Sequence, residues 1–191
     1  MKVNRTIKKI LFLFLIILID TTINLRAQTL DKIEAHRVSL PNGWKLTPVG
    51  KLLPLGDLPL NIAVSPSKKL AAITNNGESD QTIQLVDIDR EVILDSIIVG
   101  KAWLGLTFSA DGKYLYASGG NDNIIIRYAI LNNSLSVYDS IRIGKPWPVK
   151  ISVAGMALDD SKNRLYVVTK ENNSLYVLDI QTKKVIAQYP L

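Results

Sequence analysis

An internal repeat of about 45 residues constrains this chain more than any other feature. Short apolar runs recur in the same order in three segments, and Leu70, Leu115 and Leu165 occupy equivalent positions that lie 45 and 50 residues apart. The five extra residues fall in an insertion at 146–154. Self-similarity at a fixed period indicates one supersecondary unit per repeat, each stacked on its neighbours.

Each unit contains four short runs of β-branched or aromatic residues, separated by clusters of Asp, Asn, Gly, Ser and Lys. No helical period is sustained after residue 30. Four antiparallel strands repeating every ~45 residues are typical of β-propeller blades, whereas an immunoglobulin-like sandwich lacks this fixed period. We therefore predict an all-β fold with about three propeller blades, at about 61–100, 105–144 and 155–191, in an incomplete ring.

The third unit also carries a family resemblance, together with a Ser-Ala-Asp-Gly-Lys turn at 109–113. Its matching runs are residues 164–169, 172–179 and 182–187. These residues resemble the Tyr-Val-Thr-Asn (YVTN) family of β-propellers, whose turn has proline in place of Ala110. No unit spells the four-residue signature, and Thr169 stands where its asparagine is expected. The resemblance covers about residues 38–191.

A narrower resemblance lies at the start of this region, in residues 39–48 and 53–60. They are similar to the beginning of exported bacterial proteins in which such a propeller precedes a phosphoesterase domain of the alkaline-phosphatase superfamily. The resemblance implies that the metal ligands and the nucleophile of such an enzyme lie beyond residue 191, so none of them is carried over to this chain.

Residues 1–27 have the pattern of a secretory signal peptide. Lys2, Arg5, Lys8 and Lys9 precede ten uninterrupted apolar residues, and a polar stretch leads to Ala27. Ten apolar residues are too few for a transmembrane helix, which needs about 20. We predict cleavage after Ala27, a linker at 28–37, and an exported chain, periplasmic or secreted, that keeps no stable membrane span.

Charge and composition exclude several functions. The formal net charge is +6, but residues 28–191 carry 18 basic and 16 acidic residues, so a nucleic-acid partner is not expected. The absence of cysteine and the single His36 leave little material for zinc sites, multi-histidine metal centres or a Ser-His-Asp triad. Asp87 and Asp179 end third strands, where we predict capped turns rather than an acid–base pair. We expect no cofactor, no metal and no catalysis by this chain alone.

Strand parity predicts one face for a candidate ligand site. In a four-stranded antiparallel blade, the loop between strands 2 and 3 and the connection to the next blade emerge on the same side. A lysine beside a tryptophan recurs in the connections, and Asn and Asp recur in the loops. The candidate binding residues are Lys101, Trp103, Lys145, Trp147, Asn75, Asn76, Asn121, Asp122 and Asn172.

Lysine and tryptophan together suit an anionic or planar ligand, and the Asn and Asp side chains suit a sugar hydroxyl or calcium. The structural alternatives are that the tryptophans wedge between blades beside solvated lysines, and that the Asn and Asp side chains form turns.

The sequence therefore predicts a binding or scaffold module that recognises a small ligand or another protein. The alternative is the propeller part of an exported phosphoesterase whose catalytic domain lies beyond residue 191. Because propellers close with about four to eight blades, we interpret the chain as a truncated or amino-terminal part of a longer protein. A homodimer with three blades from each chain would also close a ring.

Overall fold

The computed structural model describes residues 37–47, 51–146 and 148–191. The predicted signal peptide, nearly all of the predicted linker and Trp147 lie outside the described residues. The chain divides into two units, 1–52 and 53–191. In the first unit, strand β1 (Val38–Ser39) pairs antiparallel with β2 (Lys45–Leu46).

The second unit contains three four-stranded antiparallel sheets, and the strands of each sheet follow the chain order. The first sheet comprises β3 (Pro59–Val64), β4 (Leu70–Asn75), β5 (Thr82–Asp87) and β6 (Val92–Ile98). The second comprises β7 (Leu106–Phe108), β8 (Tyr114–Ser118), β9 (Ile124–Leu131) and β10 (Ser134–Arg142). The third comprises β11 (Val153–Asp159), β12 (Arg164–Thr169), β13 (Ser174–Asp179) and β14 (Lys184–Pro190). The predicted all-β fold with four-stranded blades is confirmed.

Aspartates end the third strands of the first and third sheets, as the sequence predicts. Asp87 Oδ1 accepts a hydrogen bond from the backbone N–H of Arg90 at 2.8 Å, and Asp179 Oδ1 accepts one from Thr182 at 2.8 Å. Each carboxylate thereby turns the chain tightly into the fourth strand. The prediction of capped turns is confirmed.

The sheets pack face to face around their first strands. Strand β7 contacts both β3 and β11, so the first strands lie side by side on the inner edge. Leu85 and Leu115 are fully buried between the first and second sheets, and Ile125 and Leu165 between the second and third. Each such side chain stabilises the fold by about 1.5–3 kcal/mol through burial, so the sheet-to-sheet contacts hold the structure together.

The two outer faces differ. On the first sheet, Leu53 and Leu55 pack over Ala71, Ile73 and Val86. On the third sheet, the strand register aligns apolar cross-strand rows on the face directed away from the second sheet. These rows are Tyr166, Val177 and Ala187, and Val168, Leu175 and Tyr189.

Val168 is 38% exposed and Tyr189 is 55% exposed in these rows. An open apolar face of this kind fits an incomplete propeller.

Candidate functional site

A cavity of about 330 Å³ lies on the face where the interblade connections and the loops between second and third strands emerge. We call it the rim cavity. It is lined by four of the predicted residues, Asn76, Lys101, Trp103 and Asn121. Gln81, Lys150, Ser152, Lys170 and Glu171 also line it. Because both kinds of loop border one cavity, the prediction from strand parity that they share a face is confirmed.

Trp103 gives the rim cavity its aromatic surface. The indole is half-buried, and the Nζ atom of Lys170 lies 5.7 Å from the ring centroid. This distance is within the range of a cation–π contact. Lys170 Nζ is also 3.7 Å from Glu171 Oε1, but both side chains are well exposed, so this ion pair holds the lysine only weakly.

The position of Lys101 depends on a close approach between two loops. Its Nζ atom contacts Asp122 Oδ1 at 2.5 Å, with about half of each side chain exposed. Gly120, which precedes Asp122 in a short 3₁₀ turn, has φ +52°, and a Cβ atom there would lie 2.8 Å from the carbonyl oxygen of Lys101. A larger residue would therefore be strained and would push the two loops apart.

Asn123 anchors the insertion that carries Lys150. This fully buried side chain donates from Nδ2 to the carbonyl oxygens of Lys145, at 2.7 Å, and of Val149. Its Oδ1 atom accepts from the backbone N–H groups of Ile151 and Ser152, at 2.8 and 3.1 Å. One amide thus holds the chain on both sides of Lys150, which lines the cavity.

The other predicted residues lie elsewhere. Asn75 is 1% exposed, and its Nδ2 atom donates to Thr82 Oγ1 and Gln84 Oε1 at 3.1 and 3.0 Å. Asn172 accepts from Thr169 Oγ1 at 2.6 Å and donates to the hydroxyl of Tyr176 at 2.7 Å, so it shapes its own loop. Lys145 has an exposed side chain and does not line the rim cavity.

Sequence reasoning missed Gln81, Lys150 and Lys170 as cavity residues. Lys170 and Gln81 lie in loops between second and third strands, and Lys150 lies in an interblade connection. The same parity argument that selects Lys101 and Trp103 would have selected all three. The signal was present, but the prediction took only the lysine–tryptophan pairs of the connections and the Asn and Asp residues of the loops.

Two amide oxygens of the rim cavity have no hydrogen bond within the part of the chain that the structure describes. They are Asn76 Oδ1 and Gln81 Oε1, and both are shielded from solvent. A buried acceptor without a donor costs about 1–3 kcal/mol. The loop between β4 and β5 therefore carries two acceptors that no described residue satisfies.

A larger groove of about 550 Å³ lies on the opposite face, between the second and third sheets. Arg127 lines it and forms a two-point ion pair with Asp139, with Nε–Oδ1 2.9 Å and Nη2–Oδ2 2.5 Å. Lys183 of the third sheet reaches the same carboxylate at 2.8 Å. Burial alone would raise the pKa of Asp139, but the hydrogen bonds from Arg127 and Lys183 outweigh it and hold the pKa below its ordinary value.

The charged side chains that border this groove have partners already. Asp111 accepts from Ser109 Oγ at 2.7 Å and from the backbone of Lys113 at 3.0 Å, and Asp160 accepts from the backbone N–H of Ala110. The groove is therefore a polar seam between two sheets, whereas the rim cavity combines lysines, an aromatic ring and unpartnered oxygens.

Among the described residues, no group of three or more His, Asp or Glu side chains could hold a metal ion. No helix in the described part of the chain is long and apolar enough to cross a membrane.

Comparisons with known proteins identify the fold. No family model matches the chain, and no curated protein matches it. It is similar to a protein from Lactobacillus plantarum, with TM-score 0.61 and 15% identity over 78% of this chain and 46% of that one. It is also similar to the Myceliophteria thermophila Cps50 (Swd1) β-propeller domain, with TM-score 0.55 and 15% identity over 69% and 43%. Hydrazine synthase from Kuenenia stuttgartiensis matches with TM-score 0.51 and 16% identity over 68% and 35%.

The chain therefore spans less than half the length of each of these structures. At such low identity the likeness concerns architecture alone. Together with three four-stranded sheets packed around their first strands, it shows that residues 53–191 have a β-propeller fold with open ends.

Proposed function

We propose that this chain is a β-propeller binding module whose rim cavity takes a small anionic ligand. The observation that carries the proposal is the convergence of Lys101, Lys150 and Lys170 with Trp103 around one cavity of about 330 Å³. Pockets of about 300–1,000 Å³ with a few convergent polar groups are typical small-molecule sites. Lysine charge attracts an anion, and the half-buried indole provides a flat surface for its carbon skeleton.

Benzoate, a planar monoanion, tests this proposal. Calorimetric titration of the purified full chain should give binding of one benzoate, in the millimolar range or tighter. The substitutions Trp103→Ala and Lys170→Gln should each weaken it at least fivefold. Lys69→Gln, an exposed lysine on the opposite face, is the matched control and should change nothing. Absence of benzoate binding, or binding that neither cavity variant weakens, would overturn the proposal.

A second candidate function concerns the whole protein. The open apolar rows of the third sheet favour a working ring with further blades, because four-stranded blades bury both faces against neighbours. We propose that these blades belong to a longer exported protein of the YVTN type, in which the propeller accompanies a phosphoesterase domain. The supporting features are the signal-like residues 1–27 and the resemblance of residues 39–48 and 53–60.

The mass of the native protein tests this second candidate. An antibody against residues 100–120, followed by mass spectrometry of the exported fraction, should detect a species far larger than 21.2 kDa. A stable exported species of the mature size would contradict the longer protein. In that case, a dimer in native mass spectrometry would assign the missing blades to a second copy.

A further inference from the structure

Ser152 lies in the wall of the rim cavity with an unusual backbone conformation. It is 4% exposed, lines the cavity and has φ +57°, in the left-handed region that residues other than glycine seldom adopt. A strained residue of this kind persists only where its surroundings hold it. The contacts of Ser152 therefore show what this conformation maintains.

The three polar groups of Ser152 all have partners, in two loops of neighbouring sheets. Its backbone N–H donates to Asn123 Oδ1 at 3.1 Å, and its carbonyl oxygen accepts from the backbone N–H of Lys170 at 3.0 Å. Its Oγ atom donates to Asn121 Oδ1 at 2.7 Å. Ser152 thus joins the loop after β8 to the loop after β12, and these loops bring Asn121 and Lys170 to the same cavity.

The hydrogen bond from Ser152 determines what Asn121 offers a ligand. Asn121 is exposed, its Oδ1 atom is engaged, and its Nδ2 atom donates to no acceptor among the described residues. Because the amide oxygen and nitrogen share one carbon, holding Oδ1 also sets the direction of the N–H donors. Calcium, which binds oxygen ligands, and a ligand ammonium group would both compete with Ser152 for the oxygen.

The loop that carries Asn121 is also held at its start. Ser118 Oγ donates to the carbonyl oxygen of Val153 at 2.7 Å and accepts from the backbone N–H of Gly120 at 2.9 Å, which ties the end of β8 to the third sheet. A side chain whose backbone and acceptor are both held loses little conformational entropy when it binds a ligand. The N–H donors of Asn121 are therefore pre-organised.

We propose that Asn121 is a specificity-determining residue of the rim cavity, which Ser152 holds so that its N–H donors select a carboxylate. This inference rests on the proposed function and specifies how its anion is recognised. A carboxylate has two oxygens, so one accepts from Asn121 Nδ2 while the other meets the ammonium group of Lys170. The planar part of the ligand lies against Trp103, the ring that the same lysine contacts.

Benzoate and benzamidine, two planar molecules of similar shape and opposite charge, test the role of Asn121. Asn121→Asp keeps an oxygen for Ser152 but replaces the N–H donors by a carboxylate oxygen. In calorimetric titrations of the full chain it should weaken benzoate binding by about tenfold, the loss expected for a hydrogen bond to a charged group, and leave benzamidine binding no weaker. Asn163→Asp makes the same charge change in the opposite groove and is the control, which should alter neither affinity.

Ser152→Gly tests whether Ser152 acts through Asn121. Glycine adopts positive φ without strain, so this exchange removes only the hydroxyl. It should weaken benzoate binding by about fivefold, because the amide is then free to rotate. In the Asn121→Ala background the same exchange should have no further effect, whereas a purely structural role would give equal losses in both backgrounds. Ser161→Gly, which removes a hydroxyl donor from a turn on the opposite face, is the control and should change nothing.

The outcomes separate this inference from the proposed function. Benzoate binding that Trp103→Ala weakens but Asn121→Asp does not would overturn the role of Asn121 and leave the anion site standing. Equal effects of Ser152→Gly in both backgrounds would overturn the positioning role of Ser152. Absence of benzoate binding by the natural chain would overturn both proposals. If thermal unfolding shows that Ser152→Gly is destabilised, Asn121→Asp decides, because this exposed side chain is exchanged without opening the core.

Discussion

The two interfaces between sheets each contain an aspartate at the equivalent position of the fourth strand, but the partners of the two aspartates differ. Asp95 in β6 and Asp139 in β10 both follow the register shift of a fourth strand. Asp95 contacts the start of the fourth strand of the next sheet, and Asp139 contacts the residue just before it. Asp95 Oδ2 accepts from Ser134 Oγ and the backbone N–H of Leu135, both at 2.7 Å. Asp139 instead meets the charged groups of Arg127 and Lys183.

This difference shows how a repeat can keep its geometry while its chemistry changes. The first interface uses neutral donors beside an apolar core, so few buried groups depend on the carboxylate. In the second interface, Arg127 lies beneath the rings of Tyr138 and Tyr114, with centroid distances of 4.5 and 5.1 Å, and its side chain is 15% exposed. A guanidinium in this position depends on its counterion.

The largest effect is expected from removing that counterion. Asp139→Ala should lower the free energy of unfolding of the full chain, measured in urea, by about 3 kcal/mol, because it leaves Arg127 buried without a carboxylate. Asp89→Ala, in an exposed turn, is the control and should change stability little. A loss below about 1 kcal/mol would mean that water reaches the guanidinium and that the two interfaces are equivalent.

A smaller effect is expected at the equivalent residue of the first interface. Asp95→Ala removes the acceptor of the Leu135 N–H, and Leu135 is 5% exposed. The free energy of unfolding should therefore fall by about 1 kcal/mol. Urea unfolding under the same conditions measures it. A loss of stability equal to that of Asp139→Ala would contradict the expectation that the aspartate with charged partners contributes more than the aspartate with neutral donors.

The smallest effect concerns pH. For Asp139, burial acts to raise the pKa but Arg127 and Lys183 lower it below the ordinary value of 3.8. A carboxylate whose pKa is lower in the folded state than in the unfolded state adds to the free energy of unfolding at pH values above the unfolded pKa. This contribution is lost as the pH falls through the folded pKa. The stability difference between the natural chain and Asp139→Asn should therefore narrow from about pH 5 to about pH 3. A difference that stays constant over this range would contradict the assignment.

The repeat made the fold predictable from the sequence, but it did not reveal which residues meet between the sheets. Leu70, Leu115 and Leu165 mark equivalent second strands, and hydrophobic runs with turn residues between them determine four strands per unit. The Asp-Ser pairs at 95–96 and 139–140 are equally visible in the sequence. Their partners Ser134, Leu135 and Lys183 are not, because these residues belong to the next sheet and the contacts form only when two sheets pack. Arg127, in contrast, faces Asp139 across the β9–β10 pair of the same sheet.

The site was predictable in the same uneven way. Strand parity brought Lys101 and Trp103 to one face, since it depends only on counting strands. The same counting places Lys150 on this face, but the hydrogen bonds with which Asn123 holds the insertion after β10 form only in the folded chain. The roles of Asn75 and Asn172 within their own sheets likewise depend on cross-strand neighbours that a single sequence does not reveal.

The hydrogen bonds of Asn123 also have a consequence for substitutions in the insertion. Its amide holds the insertion at Lys145 and Val149 on one side and at Ile151 and Ser152 on the other, using main-chain atoms of the loop. Side chains between these anchor points can therefore change without altering the path of the chain. A substitution of Lys150 can therefore change the charge beside the rim cavity while the sheets that support it remain unchanged.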